Sequence, residues 1–192
     1  IYNLLNEAKS GKELLSKNEF KSEGNGAAMR SYPLGIIKDK KELLDKSYLQ
    51  AIVTHDTAKA VRSSQAVALM VHYFLYKKDR KGNLITYLSD EQKYIWKGNW
   101  KGEVSADATE TVEAVITILS KGSDLKSMLK QSVEFGGDTG TVASLVLEIG
   151  SLTTEFENDL PQWMYADLEK GKFGKGYMES LDQKLLKKIK NI

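Results

Sequence analysis

Apolar residues recur at helical spacing in one segment after another, and no stretch of any length alternates with the period of two that a half-buried strand requires. A first stripe runs through IYNLLNEAKSGKELLSK, with Leu4, Leu5, Ala8, Leu14 and Leu15. DKKELLDKSYLQAIV predicts a second helix. THDTAKAVRSSQAVALMVHYFLYKK predicts a third, capped by Thr54 or Asp56 and running to about Lys77. From 66 to 76 it is apolar on every side except His72, the pattern of a central buried helix. SADATETVEAVITILSKG predicts a helix capped by Ser105 or Asp107, with Val112, Val115, Ile116 and Leu119 on its inner face and Gly122 at its end. SDLKSMLKQSVEF repeats the pattern with Ser123 as cap. Further helices open at GGDTGT and at Pro161, and the closing MESLDQKLLKKIKNI is amphipathic. YLSDEQKYIWKGNWKGE reads as a short helix plus loop, and residues 20–36 as loop, with Asn25, Gly26 and Pro33 as punctuation. The expectation is an all-α fold, a single domain over 1–192, with many short helices around one buried helix.

Composition narrows the chemistry. The 192 residues suffice for one sizeable core, and 41% hydrophobic with 28% charged is ordinary for a globular protein. Lys+Arg 28 against Asp+Glu 26 leaves a formal net charge of +2, which gives no reason to expect nucleic acid as a partner. The apolar run is far shorter than the roughly 20 residues a bilayer span takes, so no membrane partner is expected and a cytoplasmic location is the default. With no cysteine there are no disulfides, thiolate metal ligands or cysteine nucleophiles. The two histidines, His55 and His72, stand far apart, and HExxH, GxSxG and the GxxxxGK[ST] loop are all missing. A metal here would be held by oxygen, which points to Mg²⁺, Mn²⁺ or Ca²⁺.

Three stretches carry candidate chemistry. In GGDTGT, Asp138 as N-cap puts Gly140 at N2 and Thr141 at N3, so two oxygens and the positive end of a helix dipole face one point. That suits a cation or a phosphate; an Asp cap behind a Gly-Gly joint explains the same residues. In SEGNGAAMRSYPLG, Asn25-Gly26 favours a turn with positive φ, small neighbours admit a ligand to the backbone, and Glu23 could act as acid or base; a plain surface loop is the competing reading. In THDTAKA, His55 can donate to a phosphate or ribose, or serve as a satisfied capping histidine. His72 reads as a core histidine, and Trp96, Trp100 and Trp163 read as packing.

Together these stretches resemble the ADP-ribosylglycohydrolase family. GNGAAMRSYPLG is similar to its Gly-Asn-Gly-Ala-Ala-Met-Arg loop, THDTAKAVRSSQAVALMV to its Thr-His segment, DATETVEAV to its Glu-Thr-Val helix start, and SVEFGGDTGTVASLVLEIGS to its Gly-Gly-Asp-Thr-Asp-Thr metal motif. The four segments keep the family's order over residues 23–165. The resemblance implies an all-α fold and a binuclear Mg²⁺ or Mn²⁺ centre. It implies cleavage of the bond between ADP-ribose and an acceptor, an ADP-ribosylated protein or a small ADP-ribosyl compound. It assigns Asp138 and Thr141 to the metal, and Gly24, Asn25, Gly26, His55, Gly136 and Gly137 to substrate binding. No catalytic acid or base is assigned.

Two departures bear on activity. Gly140 stands where the family motif has an aspartate, and nothing matches the family's N-terminal Gly-Asp and Thr-Asp-Asp ligands. The expectation is a chain lacking that N-terminal part, either as a fragment or as a degenerate member. Two functions compete: a metal-dependent ADP-ribosyl hydrolase, impaired as this chain, or a catalytically silent module that binds ADP-ribose or a protein.

Overall fold

The structure, a computed structural model, describes residues 6–17, 20–77 and 80–189. Leu4 and Leu5 of the first stripe and the last residues of the closing one lie outside them. The chain divides into two compact units, Ile1–Asn158 and Asp159–Ile192. In the first unit the helices are α1 Gly11–Ser16, α2 Gly26–Met29, α3 Lys40–Ile52, α4 Ala58–His72, α5 Leu84–Gln92, α6 Ala108–Lys121, α7 Leu125–Glu134 and α8 Thr139–Gly150. In the second they are α9 Gln162–Ala166 and α10 Lys175–Ile189. Among the described residues there is no strand, only isolated bridges, so the all-α expectation holds.

The predicted buried helix is α4, prolonged by a π-helical turn over Tyr73–Lys77. Residues 66–71 are fully buried, and α2, α3, α5, α6 and α8 all pack on this helix. Each fully buried Val, Leu or Met there contributes roughly 1.5–3 kcal/mol of transfer free energy. His72 is a core histidine as expected, its Nε2 lying 3.0 Å from the Lys38 carbonyl oxygen. Tyr76 breaks the pattern by reaching the surface.

One buried helix is a correct reading of α4 but an incomplete account of the unit, because α6 is buried from Thr111 to Leu119 as well. Its polar positions hid this. The Glu113 carboxylate accepts from the Lys97 and Gly98 amides, at 2.9 Å each for the closest contacts. The Thr117 hydroxyl accepts from the Trp100 amide at 2.9 Å. A helix with polar residues on its back face is buried here because loop backbone, not water, satisfies those residues.

Caps correct the boundaries. Thr57, not Thr54 or Asp56, caps α4, accepting from the Ala60 amide at 3.2 Å. Thr54 is engaged by its neighbour's ring, and the Asp56 amide donates to the Phe20 carbonyl. Asp124, not Ser123, caps α7; the Ser123 hydroxyl supports it by donating to its carboxylate at 2.7 Å. Asp107 caps α6 and Asp138 caps α8, both as expected. Residues 20–36 are not simply loop: they contain α2 and a 3-10 turn over Tyr32–Ile36. Ala27 and Ala28 are fully buried, and Ala27 packs with Ala51 and Ala60, because only small side chains let this short turn sit against α3 and α4. Trp96 is packed inside as expected, whereas Trp163 is exposed.

Candidate functional site

Three loop segments of the first unit lie side by side where α2, α6 and α8 begin. Residues 103–108 form the middle. On one side the Asn25 amide donates to the Ala106 carbonyl at 2.9 Å and the Ala108 amide to the Glu23 carbonyl at 3.0 Å. On the other the Asp138 amide donates to the Val104 carbonyl at 2.7 Å. The start of α4 joins through the Thr57 hydroxyl, which donates to the Ser22 carbonyl at 3.2 Å. Residues 113 positions apart are thereby brought into contact.

Asn25 is the centre of the cluster. It is 7% exposed. Its Nδ2 donates to the Thr111 hydroxyl of α6 at 2.9 Å and to Asp138 Oδ2 at 2.7 Å. The expected positive φ is not found: Asn25 has φ −79°, and the positive-φ positions do not include Gly26. Asn25 instead opens α2, its carbonyl accepting from the Met29 amide, and this aims its side chain inward. Asp138 Oδ1 accepts from the Thr141 hydroxyl at 2.9 Å and, weakly, from the Thr141 amide at 3.4 Å. Asp138 and Thr141 therefore do share one point at the head of α8, with Asn25 as a third member.

Gly136 and Gly137 both have positive φ, 76° and 69°. A Cβ on Gly137 would stand 2.2 Å from the Val104 carbonyl oxygen, so glycine is required there for close approach to the middle segment. This is a backbone contact within the fold. Gly140 is exposed at N2 of α8, with nothing within 4 Å of a Cβ.

His55 follows α3 and lies against the 24–26 loop. A Cβ on Gly26 would meet its Cε1 at 3.1 Å and Nε2 at 3.3 Å, and a Cβ on Gly24 would meet Nε2 at 3.7 Å. The absent side chains are what let the imidazole edge close on this backbone. Its Nδ1 lies 2.6 Å from the Thr54 hydroxyl, which accepts from Arg30 Nη2 at 2.6 Å. Burial, and then the Arg30 charge, push the His55 pKa below the ordinary histidine value.

Glu23, the acid or base candidate, is ion-paired. Lys59 holds it at 2.6 Å and holds Asp107 at 2.8 Å. Burial opposes ionisation of Asp107, yet the Lys59 ammonium and the Glu110 and Thr109 amides keep its carboxyl below the usual range. Arg30, Lys59 and Thr111 were not singled out from the sequence. Thr111 had a signal, since it falls one helical turn after the Asp107 cap, on the face that meets the 24–26 loop.

The donor set does not by itself fit a two-metal centre. Among the described residues no three His, Cys, Asp or Glu side chains group as metal ligands. Asp138 is the one carboxylate joined to Asn25 and Thr141, and both its oxygens accept protein hydrogen bonds. Mg²⁺ takes six oxygens in near-octahedral array.

The model of the ADP-ribosylglycohydrolase family matches residues 2–191. A curated relative, ADP-ribosyl-[dinitrogen reductase] glycohydrolase of Rhodospirillum rubrum, is 25% identical over 171 residues, covering 87% of this chain and 53% of that protein. The chain thus spans about half the length of that relative. No helix among the described residues is long and apolar enough to cross a membrane. With four family segments gathered at one point and a match over nearly all its length, the chain belongs to the ADP-ribosylglycohydrolase family.

Proposed function

We propose that this chain recognises an ADP-ribosyl group at the cluster of Asn25, His55, Asp138 and Thr141, and that alone it turns that group over slowly or not at all. The family acts on ADP-ribosylated substrates, and an ADP-ribosylated protein or small ADP-ribosyl compound is the partner this reading assigns. The observation that carries it is the bridge from Asn25 to both Thr111 and Asp138, which joins the starts of α2, α6 and α8. The first amides of α6 are taken by Glu23 and the Asp107 cap, and it is the positive dipole end of α8 that suits a diphosphate. His55 adds a ring nitrogen held against the backbone of the 24–26 loop.

Slow turnover is supported by the donor set. One carboxylate at the head of α8, with Gly140 in place of a second, is a poor nest for two hard cations, and no reaction step is assigned to them here. The test is calorimetric titration with ADP-ribose beside an assay for ADP-ribose release from an ADP-ribosylated protein, with and without Mg²⁺ or Mn²⁺. Saturable binding that Asn25→Ala weakens, with little release, is expected. Absence of binding sinks the recognition; appreciable metal-stimulated release by the 192-residue chain sinks the claim of slow turnover.

A further inference from the structure

We propose that Arg30 and Thr54 are positioning residues that fix His55 as its neutral Nε2–H tautomer and aim that N–H over the glycines of the 24–26 loop at a ligand oxygen. The ligand half of this rests on the reading of the cluster as an ADP-ribosyl site; the tautomer half does not.

The argument is a count of protons along three atoms. A guanidinium only donates, so at 2.6 Å the Thr54 oxygen accepts from Arg30 Nη2. Thr54 has one proton, and its other side-chain partner, at 2.6 Å, is His55 Nδ1, to which it can donate. A hydroxyl already accepting from a cation is polarised into a better donor. The bond made by one ring nitrogen sets which nitrogen carries the proton. With Nδ1 accepting, the proton resides on Nε2. The alternative, Nδ1–H donating to Thr54, gives that oxygen a second donor and leaves the threonine proton with no acceptor among its described partners. A doubly protonated ring would add a charge beside Arg30, and burial opposes that charge too.

Among the described residues, the side-chain hydrogen bond of this ring is made at Nδ1, leaving the Nε2 edge for a ligand. That edge lies against Gly24 and Gly26, where a Cβ on Gly26 would crowd it and one on Gly24 would come into ordinary contact. His55 is thus a donor without a charge, aimed by its neighbours and waiting for an oxygen of a phosphate or a ribose. Thr57, not Thr54, caps α4, and Arg30 closes α2 through its backbone amide alone, so neither side chain is explained by capping.

The test reads the tautomer directly, by long-range proton–nitrogen correlation on ¹⁵N-labelled chain at mildly alkaline pH. The two histidines are told apart with His55→Gln. In the unaltered chain His55 Nδ1 should show the shift of a bare nitrogen and Nε2 that of a protonated one. Thr54→Val should raise the Nδ1–H fraction, and Thr54→Ser should restore the original spectrum. A protonated Nδ1 in the unaltered chain, or no change in Thr54→Val, overturns the proposal. Should Thr54→Val fail to fold, Arg30→Met at its exposed position should also raise the Nδ1–H fraction, and an unchanged fraction overturns the proposal equally. In parallel, Thr54→Val should weaken ADP-ribose binding roughly 3- to 10-fold, the worth of one neutral hydrogen bond, with Thr54→Ser rescuing it. ADP titrated alongside separates the sources of the oxygen: an equal loss for ADP places His55 on the ADP part, a loss for ADP-ribose alone places it on the distal ribose. Unchanged affinity with a shifted tautomer overturns the aiming at a ligand. No ADP-ribose binding by the unaltered chain overturns the proposed function and this ligand arm together, while the tautomer result still stands or falls by itself.

Discussion

Removing the Asn25 side chain should loosen the whole cluster, and the structure sets the size of the effect. Asn25→Ala deletes one hydrogen bond to a neutral hydroxyl and one to a carboxylate. Such bonds contribute about 0.5–1.5 and 1.5–3 kcal/mol respectively. Thr111 is fully buried, so its oxygen loses a donor that water cannot readily replace. Asp138 is only half-buried, and water recovers part of its loss. The net cost should be about 2–3 kcal/mol, or roughly a 4–12 °C fall in Tm for a unit of this size. Asn25→Asp supplies the sharper control. It keeps the shape but sets a carboxylate within 2.7 Å of the Asp138 oxygen. The introduced carboxyl fits there only when protonated, so its folded pKa lies above its unfolded one. A raised acid pKa means the variant's deficit is small in acid and grows as pH rises past the unfolded value, about 3.9. Urea unfolding, followed by buried Trp96 fluorescence at neutral pH and near pH 4, reads both variants. Asn25→Ala should show a deficit nearly independent of pH, and Asn25→Asp one that shrinks in acid. Wild-type stability for Asn25→Asp at neutral pH refutes the pairing of Asn25 with Asp138, and with it the cluster.

Gly140→Asp should fold normally, gaining about 0.3–1 kcal/mol from an acid in the first turn of α8, because no atom meets a new Cβ; a lowered urea midpoint contradicts this. The chain should bind divalent cations weakly, and Gly140→Asp alone should not create tight binding or hydrolysis; calorimetry finding two tightly held Mg²⁺ ions per chain, before or after the change, contradicts the donor count. Gly137→Ala should destabilise by more than about 1 kcal/mol, from positive φ and the clash with Val104, read again from the urea midpoint. Asp107 has a depressed folded pKa, so its contribution is present above the unfolded value and is lost as pH falls through the folded one. Asp107→Asn should therefore flatten the acid limb of the stability profile, and an unchanged limb refutes the role given to Lys59 and the amides.

The sequence by itself determined the helices, because a 3.6-residue apolar period and an oxygen side chain at the cap are local properties. α4 and the caps Asp107 and Asp138 were legible for that reason. It also singled out the stretches that the fold gathers into one cluster, since small residues beside Asn25 and oxygens at GGDTGT are visible without coordinates. Burial of α6 was not legible, because Glu113 and Thr117 mimic a solvated face until the 97–100 loop is seen to satisfy them. The cap of α4 moved to Thr57 because Thr54 was taken by a contact with Arg30, 24 positions away. Glu23 looked like an available acid until Lys59, from another helix, was found against it. Gly137 carries no sequence mark telling ligand approach from backbone approach; only the position of Val104 decides it. In each case the deciding partner lies elsewhere in the chain, satisfying buried polar groups on α6 and pairing surface polar groups at Thr54 and Glu23, and a one-dimensional pattern contains neither.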